Sequence, residues 1–407
     1  MVRPSRSCHG ALIDLGRPHA AALWIAALAA AHLLLALLGQ RLPRVSADIR
    51  LLLLTVGVLL GDVAFALLAN GPMLAIGWAA TSVLFARLAA RDAARDHGQA
   101  LTELGLGAHI AGAVLVAVSQ ANSIGFLGQG TADQVTTTIA LGAVAAAAFI
   151  SARLTNTSNP PWRAALDTVG LGIAAYLTAI NLHGAGLVVA WAIEAVTLAT
   201  IARRTRDDLA GIASLTFLAG AAIHTLAVQA PPSALALSVP DTAAALAAVG
   251  ACAAASLFIA HTRLTIRARA TTPALIGIAS LAVLYLASVL IVTAFQPSAI
   301  ENGAAVLDLT VRQQGQMLLS GLWGLAGVSA LILGLRRDDR LLRLGALGVL
   351  LLTAAKVFLY DLSTLDSVYR IASFIALGLL LLAGAYAYQR LRPPPSPDLR
   401  TVPHALR

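Results

Sequence analysis

The sequence predicts an all-α membrane protein of about 13 transmembrane helices, arranged as three parallel four-helix repeats plus a final helix. Three observations carry that expectation. Hydrophobic residues make up 58% of the chain and charged residues 12%, against roughly 25% charge in a soluble domain. Mean hydropathy is +0.82, and apolar runs of about 20 residues, the length a bilayer core demands, follow one another with short connections. Arginines gather in every second connection, as the positive-inside rule requires.

In chain order the expected spans are 20–39, 49–69, 71–90, 101–119, 134–153, 163–182, 184–203, 209–229, 239–261, 273–296, 315–335, 340–361 and 367–390. The basic stretch 1–19 reads as a tail before a retained first helix, because the run from Ala20 to Leu38 is long for a signal-peptide core. Asn70-Gly71-Pro72 and His183-Gly184 are turn-formers at the tightest connections. Asn159-Pro160-Pro161-Trp162 separates the fifth span from the sixth, with Trp162 suited to an interfacial belt. Gly105, Gly107, Ala111 and Gly112, with Gly378 and Gly384 in the last helix, offer faces where helix backbones approach. The connection from Pro297 to Gln314 is polar enough to lie on the membrane surface.

The basic exits sit at Arg41/Arg44, Arg87/Arg91/Arg95, Arg153/Arg163, Arg203/Arg204/Arg206, Arg263/Arg267/Arg269 and Arg336/Arg337/Arg340/Arg343. This alternation places the C-terminal tail, 391–407, in the cytoplasm and, with thirteen spans, the N-terminus outside. Arg3, Arg6 and Arg17 pull against the second half of that assignment.

A repeat is legible in GWAATSVLFARLAARD from Gly77, AWAIEAVTLATIARRTRDD from Ala190 and LWGLAGVSALILGLRRDDR from Leu322. Each carries a tryptophan (Trp78, Trp191, Trp323) ahead of a basic exit, and the exits at Arg41, Arg153 and Arg263 recur at intervals of 112 and 110 residues. The expected units are 20–119, 134–229 and 239–361, with 367–390 as the added helix. An even number of spans per unit makes the repeats parallel rather than inverted.

Few polar residues interrupt the spans: His32, Asp62, His109, Glu194, His224, Lys356 and Arg370. At 1.5 Å per residue, Lys356 and His224 lie ~8 Å from the outer ends of their helices, Asp62 ~10 Å, and Glu194 and His109 ~15 Å. His224 follows Trp191 by 33 residues, Lys356 follows Trp323 by 33, and His109 follows Trp78 by 31. The fourth helix of each unit thus sets a basic or proton-accepting residue opposite the tryptophan of the third. An embedded histidine can titrate near neutrality and a desolvated lysine can lose its charge, so these positions suit anion binding, proton relay, or duplicated helix-locking contacts. Glu194 lies three residues after Trp191, with His224 or a loop arginine as its expected partner.

Lys356, the only lysine in the chain, stands five residues before Asp361; Asp366 precedes Arg370 by four across the start of the last helix. The four charges suit either a staple for this hairpin or the capture of an anionic head group or a charged partner.

Lys356-x-Phe358-x-x-Asp361, Leu365, Arg370-Ile371-x-Ser373-Phe374, Gly378 and Tyr388-Gln389-Arg390 resemble the C-terminal signature of a bacterial family of multi-spanning proteins, domain of unknown function 2339. Trp191-Ala192-Ile193-Glu194-Ala195 and the Trp323 helix are similar to that family's repeated segments. The likeness is close over 310–392 and looser back to about residue 50. It implies a cell-envelope membrane protein and brings no established activity.

Other classes find no support. The net charge of +9 is spread over loops rather than gathered for nucleic acid. Cys8 and Cys252 make no disulfide framework or metal set, and neither a phosphate loop nor a dinucleotide motif is present. Hence no metal, no cofactor and no nucleic-acid partner are expected; membrane lipids and envelope-biogenesis proteins are. Three functions stay open: transport or handling of an anionic or lipid-linked envelope solute through the outer-half polar layer, a non-catalytic scaffold, or a membrane enzyme acting on envelope lipid or glycan precursors. The balance leans away from an enzyme.

Overall fold

A computed structural model describes residues 18–39, 45–69, 71–92, 99–121, 134–155, 160–236, 239, 241–266, 269–296 and 311–358, with separate positions between 371 and 389. Twelve α-helices lie in these residues: α1 (Pro18–Gly39), α2 (Ala47–Leu68), α3 (Pro72–Asp92), α4 (Gln99–Gln120), α5 (Gln134–Thr155), α6 (Pro160–Asn181), α7 (Gly184–Thr205), α8 (Asp208–His224), α9 (Thr242–His261), α10 (Thr272–Ala294), α11 (Val311–Arg336) and α12 (Arg340–Lys356). Residues 381–386 are also helical. Eleven described helices are long and apolar enough to cross a membrane. The protein is an all-α membrane protein. Its only described strands are β1 (Thr265–Ile266) and β2 (Arg269–Ala270), a two-residue antiparallel ribbon in the basic α9–α10 connection.

The helix ends follow local chemistry. Ser46, Asp207, Asp241 and Asp339 cap α2, α8, α9 and α12, each side chain accepting from a backbone N–H of the first turn. Prolines stand at the first turns of α3, α6 and α10, where the missing N–H costs nothing. Gly71 and Gly184, at φ of 54° and 61°, make the tight turns before α3 and α7. The expected boundaries shift at two places. α11 begins at Val311, so the end of the expected surface loop is helical, and the span expected over 209–229 ends in a π-helical turn, Thr225–Gln229.

The chain divides into two compact units, Met1–Asn181 and Leu182–Arg407. In the first, α1–α2, α3–α4 and α5–α6 form antiparallel hairpins, with α3 and α4 packed on α5. In the second, α7–α8, α9–α10 and α11–α12 do the same, with α7 against α9 and α10 against α11. Alanine dominates both cores, for example Ala113, Ala140 and Ala148 in one unit and Ala221, Ala245 and Ala248 in the other, all without exposed surface. Large aliphatic side chains point outward instead, such as Leu115 at 70% and Leu351 at 73% exposure. That inversion suits a chain solvated by hydrocarbon, where small residues bring helices together and leucines meet lipid.

The glycines of α4 do not serve backbone approach. A Cβ on Gly105 would stand 2.6 Å from Phe85, one on Gly107 2.8 Å from Trp162, and one on Gly112 2.7 Å from Trp78. Each is a seat for an aromatic ring from α3 or α6.

Candidate functional site

Two charge arrangements near the basic loops of the first unit were not among the embedded polar positions expected. Asp167 of α6 is 5% exposed, and its Oδ2 accepts from Arg153 Nη1 at 3.2 Å and pairs with Arg163 Nε at 3.5 Å. Glu103 of α4 accepts from the indole N–H of Trp162 at 3.1 Å. Trp162 therefore packs inside the helix bundle, against Gly107, rather than only at an interface. Arg153 is 58% exposed and can return to solvent. Asp167→Asn is accordingly expected to destabilise the unit by only about 1 kcal/mol, which thermal unfolding in nanodiscs would measure.

Deeper in the same unit, His109 of α4 meets Asp62 of α2, Nε2 to Oδ1 at 3.1 Å. The opposite ring nitrogen, Nδ1, bonds the Gly105 carbonyl at 2.7 Å. The Phe85 ring covers the imidazole with centroids 4.9 Å apart.

In the second unit His224, the last residue of α8, stands edge-on to Trp191 of α7, ring centroids 6.5 Å apart. His224 Nε2 is buried and has no hydrogen-bond partner among the described residues. The expected Glu194–His224 pair is not formed; Glu194 is half-buried on α7. Trp191 lies against Gly220, one turn before His224 on α8, so the tryptophan occupies the space beside the imidazole.

Lys356 ends α12. Its Nζ donates to Ser320 Oγ at 2.8 Å and to the Gln316 carbonyl at 3.2 Å, both on α11. Asp361, Asp366 and Arg370, the other charges of the expected hairpin cluster, lie outside the described residues.

Beside Lys356 opens a cavity of about 720 Å³ between α8, α9, α10, α11, α12 and the α8–α9 connection. Its walls are largely aliphatic: Leu226, Val249, Ile278, Leu281, Leu319 and Leu352 among them. Lys356, Gln316, Ser288 and Tyr285 also line it, although the surface they and the other residues present is almost all apolar. Trp323 also lines it and donates its indole N–H to Ser288 Oγ at 2.8 Å. The helix positions separate the two chemistries. Lys356 and Gln316 lie at the end of α12 and the start of α11, away from the arginine exits, whereas Ile278, Leu281 and Val349 lie farther along toward them. His224 does not line this space, although its neighbours Ala222 and Thr225 do.

The α8–α9 connection closes one side. After the π-helical turn it forms a 3₁₀ turn, Pro232–Leu235, and its carbonyls are taken up by side chains of α10, of α11 and of Gln296 just after α10. Tyr285 Oη donates to Ala230, Gln316 Nε2 to Leu235 at 2.7 Å, Arg312 Nη2 to Ala236, and Gln296 Nε2 to Val239 at 3.2 Å. In an apolar setting such irregular backbone persists only where its polar groups are satisfied. Gln316 and Gln296 escape a sequence reading because each resembles an ordinary helix-end glutamine.

Hairpinned apolar helices with outward leucines and buried polar contacts define a polytopic α-helical membrane protein. Within that class the chain belongs to the family described as a predicted membrane protein, DUF2339, whose model matches residues 15–391. The match reaches farther toward the N-terminus than the motifs alone, which resembled the family closely only from residue 310. No curated protein and no solved structure matches the chain. Among the described residues no group of three or more His, Cys, Asp or Glu side chains is placed to hold a metal ion.

Proposed function

We propose that this protein handles an anionic, lipid-like solute of the bacterial cell envelope, held in the second unit with its tail along the aliphatic walls and its charged head at Lys356. One observation carries the reading: the chain's only lysine stands beside a largely apolar cavity of about 720 Å³. Binding sites for small molecules commonly span roughly 300–1,000 Å³, mostly apolar, with a few placed polar groups that orient the ligand. An ammonium group at one end of an apolar space suits a ligand with an anionic head and an aliphatic tail.

In this reading the protein sits in the cytoplasmic membrane with its arginine-rich connections and C-terminus inside, so the Lys356 end of the cavity faces outward. The helices form three four-helix repeats. Support comes from Trp78 on Gly112, Trp191 on Gly220 beside His224, and Trp323 lining the same cavity as Lys356. A scaffold partnering envelope-biogenesis proteins is the second reading, favoured by the first unit, where Asp62 pairs with His109, and Arg153 and Arg163 pair with Asp167.

Cys252 offers the test, because it lines the cavity and the only other cysteine is Cys8. In a Cys8→Ser chain in nanodiscs, dodecyl phosphate is expected to slow maleimide labelling of Cys252 at least about tenfold, a factor equal to 1.4 kcal/mol. Dodecanol and inorganic phosphate, each with half of the chemistry, are expected to protect weakly. Equal labelling rates with and without dodecyl phosphate would exclude this ligand class and favour the scaffold.

A further inference from the structure

The contact between Asp62 and His109 has a proton count that its geometry dictates. His109 Nδ1 lies 2.7 Å from the Gly105 carbonyl oxygen. A carbonyl oxygen only accepts, so Nδ1 carries a hydrogen. A neutral imidazole protonated at Nδ1 has a bare lone pair at Nε2. That nitrogen lies 3.1 Å from Asp62 Oδ1, and a bare nitrogen facing a carboxylate oxygen is repulsive. The contact therefore needs one proton more than a neutral histidine and an ionised aspartate hold together. Either an imidazolium faces a carboxylate, or a carboxylic acid donates to Nε2. Both descriptions place the same single proton on the pair.

We propose that Asp62 and His109 form a proton-binding site in the first unit, holding one exchangeable proton between α2 and α4. The site lies well inside the span: His109 is the eleventh residue of the 22-residue α4, or ~15 Å from its start. Its two sides differ in access. Asp62 is 29% exposed and His109 6%, so the pair is open on the Asp62 side while Phe85 covers the ring.

Other charged groups of the packed helices are engaged elsewhere or lie toward the ends. His32 of α1 bonds the Leu28 carbonyl, Glu103 of α4 takes the Trp162 indole, and Arg153, Arg163 and Asp167 of α5 and α6 pair together. His19 and Arg50 lie in the first turns of α1 and α2, and Arg87 and Arg91 in the last two turns of α3. The proton thus has two carriers, Asp62 and His109. When it leaves, the contact becomes repulsive and α2 loses this tie to α4. The site is independent of the cavity in the second unit, and its test requires no solute.

The experiment is a titration of the full chain, ¹⁵N-labelled at its nine histidines, in nanodiscs from about pH 5 to 9, the range in which histidine chemistry is read. Histidine nitrogen shifts report the ring, and the infrared carboxylic-acid band reports Asp62. His109→Gln identifies the ring signal and Asp62→Asn the carboxyl signal, so one folded variant suffices. The expected result is an extra proton on the ring or on the carboxyl at low pH, lost in one step of one proton per chain. Asp62→Asn should abolish that step while its amide N–H keeps the bond to a bare Nε2. An ionised carboxylate facing a bare Nε2 throughout the range would overturn the proposal. So would a His109 titration that Asp62→Asn leaves unchanged.

Discussion

Lys356→Met is expected to weaken binding of dodecyl phosphate by about 10- to 100-fold while leaving affinity for dodecanol within about twofold. The magnitude follows from the bond removed. A hydrogen bond to a charged group contributes about 1.5–3 kcal/mol, and each 1.4 kcal/mol is a factor of ten. Methionine keeps the unbranched shape and the aliphatic contacts of the lysine stem, so the loss isolates the ammonium. The substitution also removes the bonds to Ser320 and the Gln316 carbonyl. A melting temperature measured alongside separates a loosened α11–α12 hairpin from a lost ligand contact. Lys356→Arg keeps the charge with a wider, planar donor set and should recover part of the affinity. If Lys356→Met folds and binds dodecyl phosphate like the parent chain, the head-group role of Lys356 is wrong.

The second large effect concerns stability. Gly105→Val is expected to destabilise the first unit by about 1–3 kcal/mol, the usual cost of overpacking. A Cβ there would stand 2.6 Å from Phe85 Cε1 and 2.7 Å from Cδ1. Phe85 is buried, with 6% of its surface exposed, and is stacked on His109, so the ring has little room to swing away. Helix propensity slightly favours valine over glycine; steric conflict outweighs it. Phe85→Leu in the same chain should restore most of the loss, giving a coupling energy in a double-mutant cycle. Equal melting temperatures for Gly105→Val and the parent would show that the ring seat is not a stability determinant.

The fold class was legible because lipid imposes it. Twenty-residue apolar runs leave no alternative that satisfies the backbone in hydrocarbon, and Asn70-Gly71-Pro72 and His183-Gly184 mark turns by local rules alone. The family was legible from a handful of residues around Lys356 and Trp191. Individual partners were harder. His109 and Asp62 both stood out as embedded polar residues, yet they are 47 positions apart and nothing in their spacing joins them. Glu194 and His224 looked like partners at 30 positions, and the structure sets His224 against Trp191 instead. Asp167 went unnoticed because two arginines nearby read only as loop charge.

By itself, then, the sequence determined that this chain is a bundle of membrane-crossing helices, roughly where most of them lie, and most of the few polar residues that enter the span. Those are properties of single segments meeting a solvent of known thickness. Tertiary structure alone decided which rings fill the glycine seats of α4, that Asp62 and His109 meet, and that Lys356 opens on an aliphatic cavity closed by the α8–α9 connection. Each depends on the rotation and depth of one helix against another. Among alanine- and leucine-rich helices many rotations bury similar apolar surface, so only the full set of packed neighbours selects one.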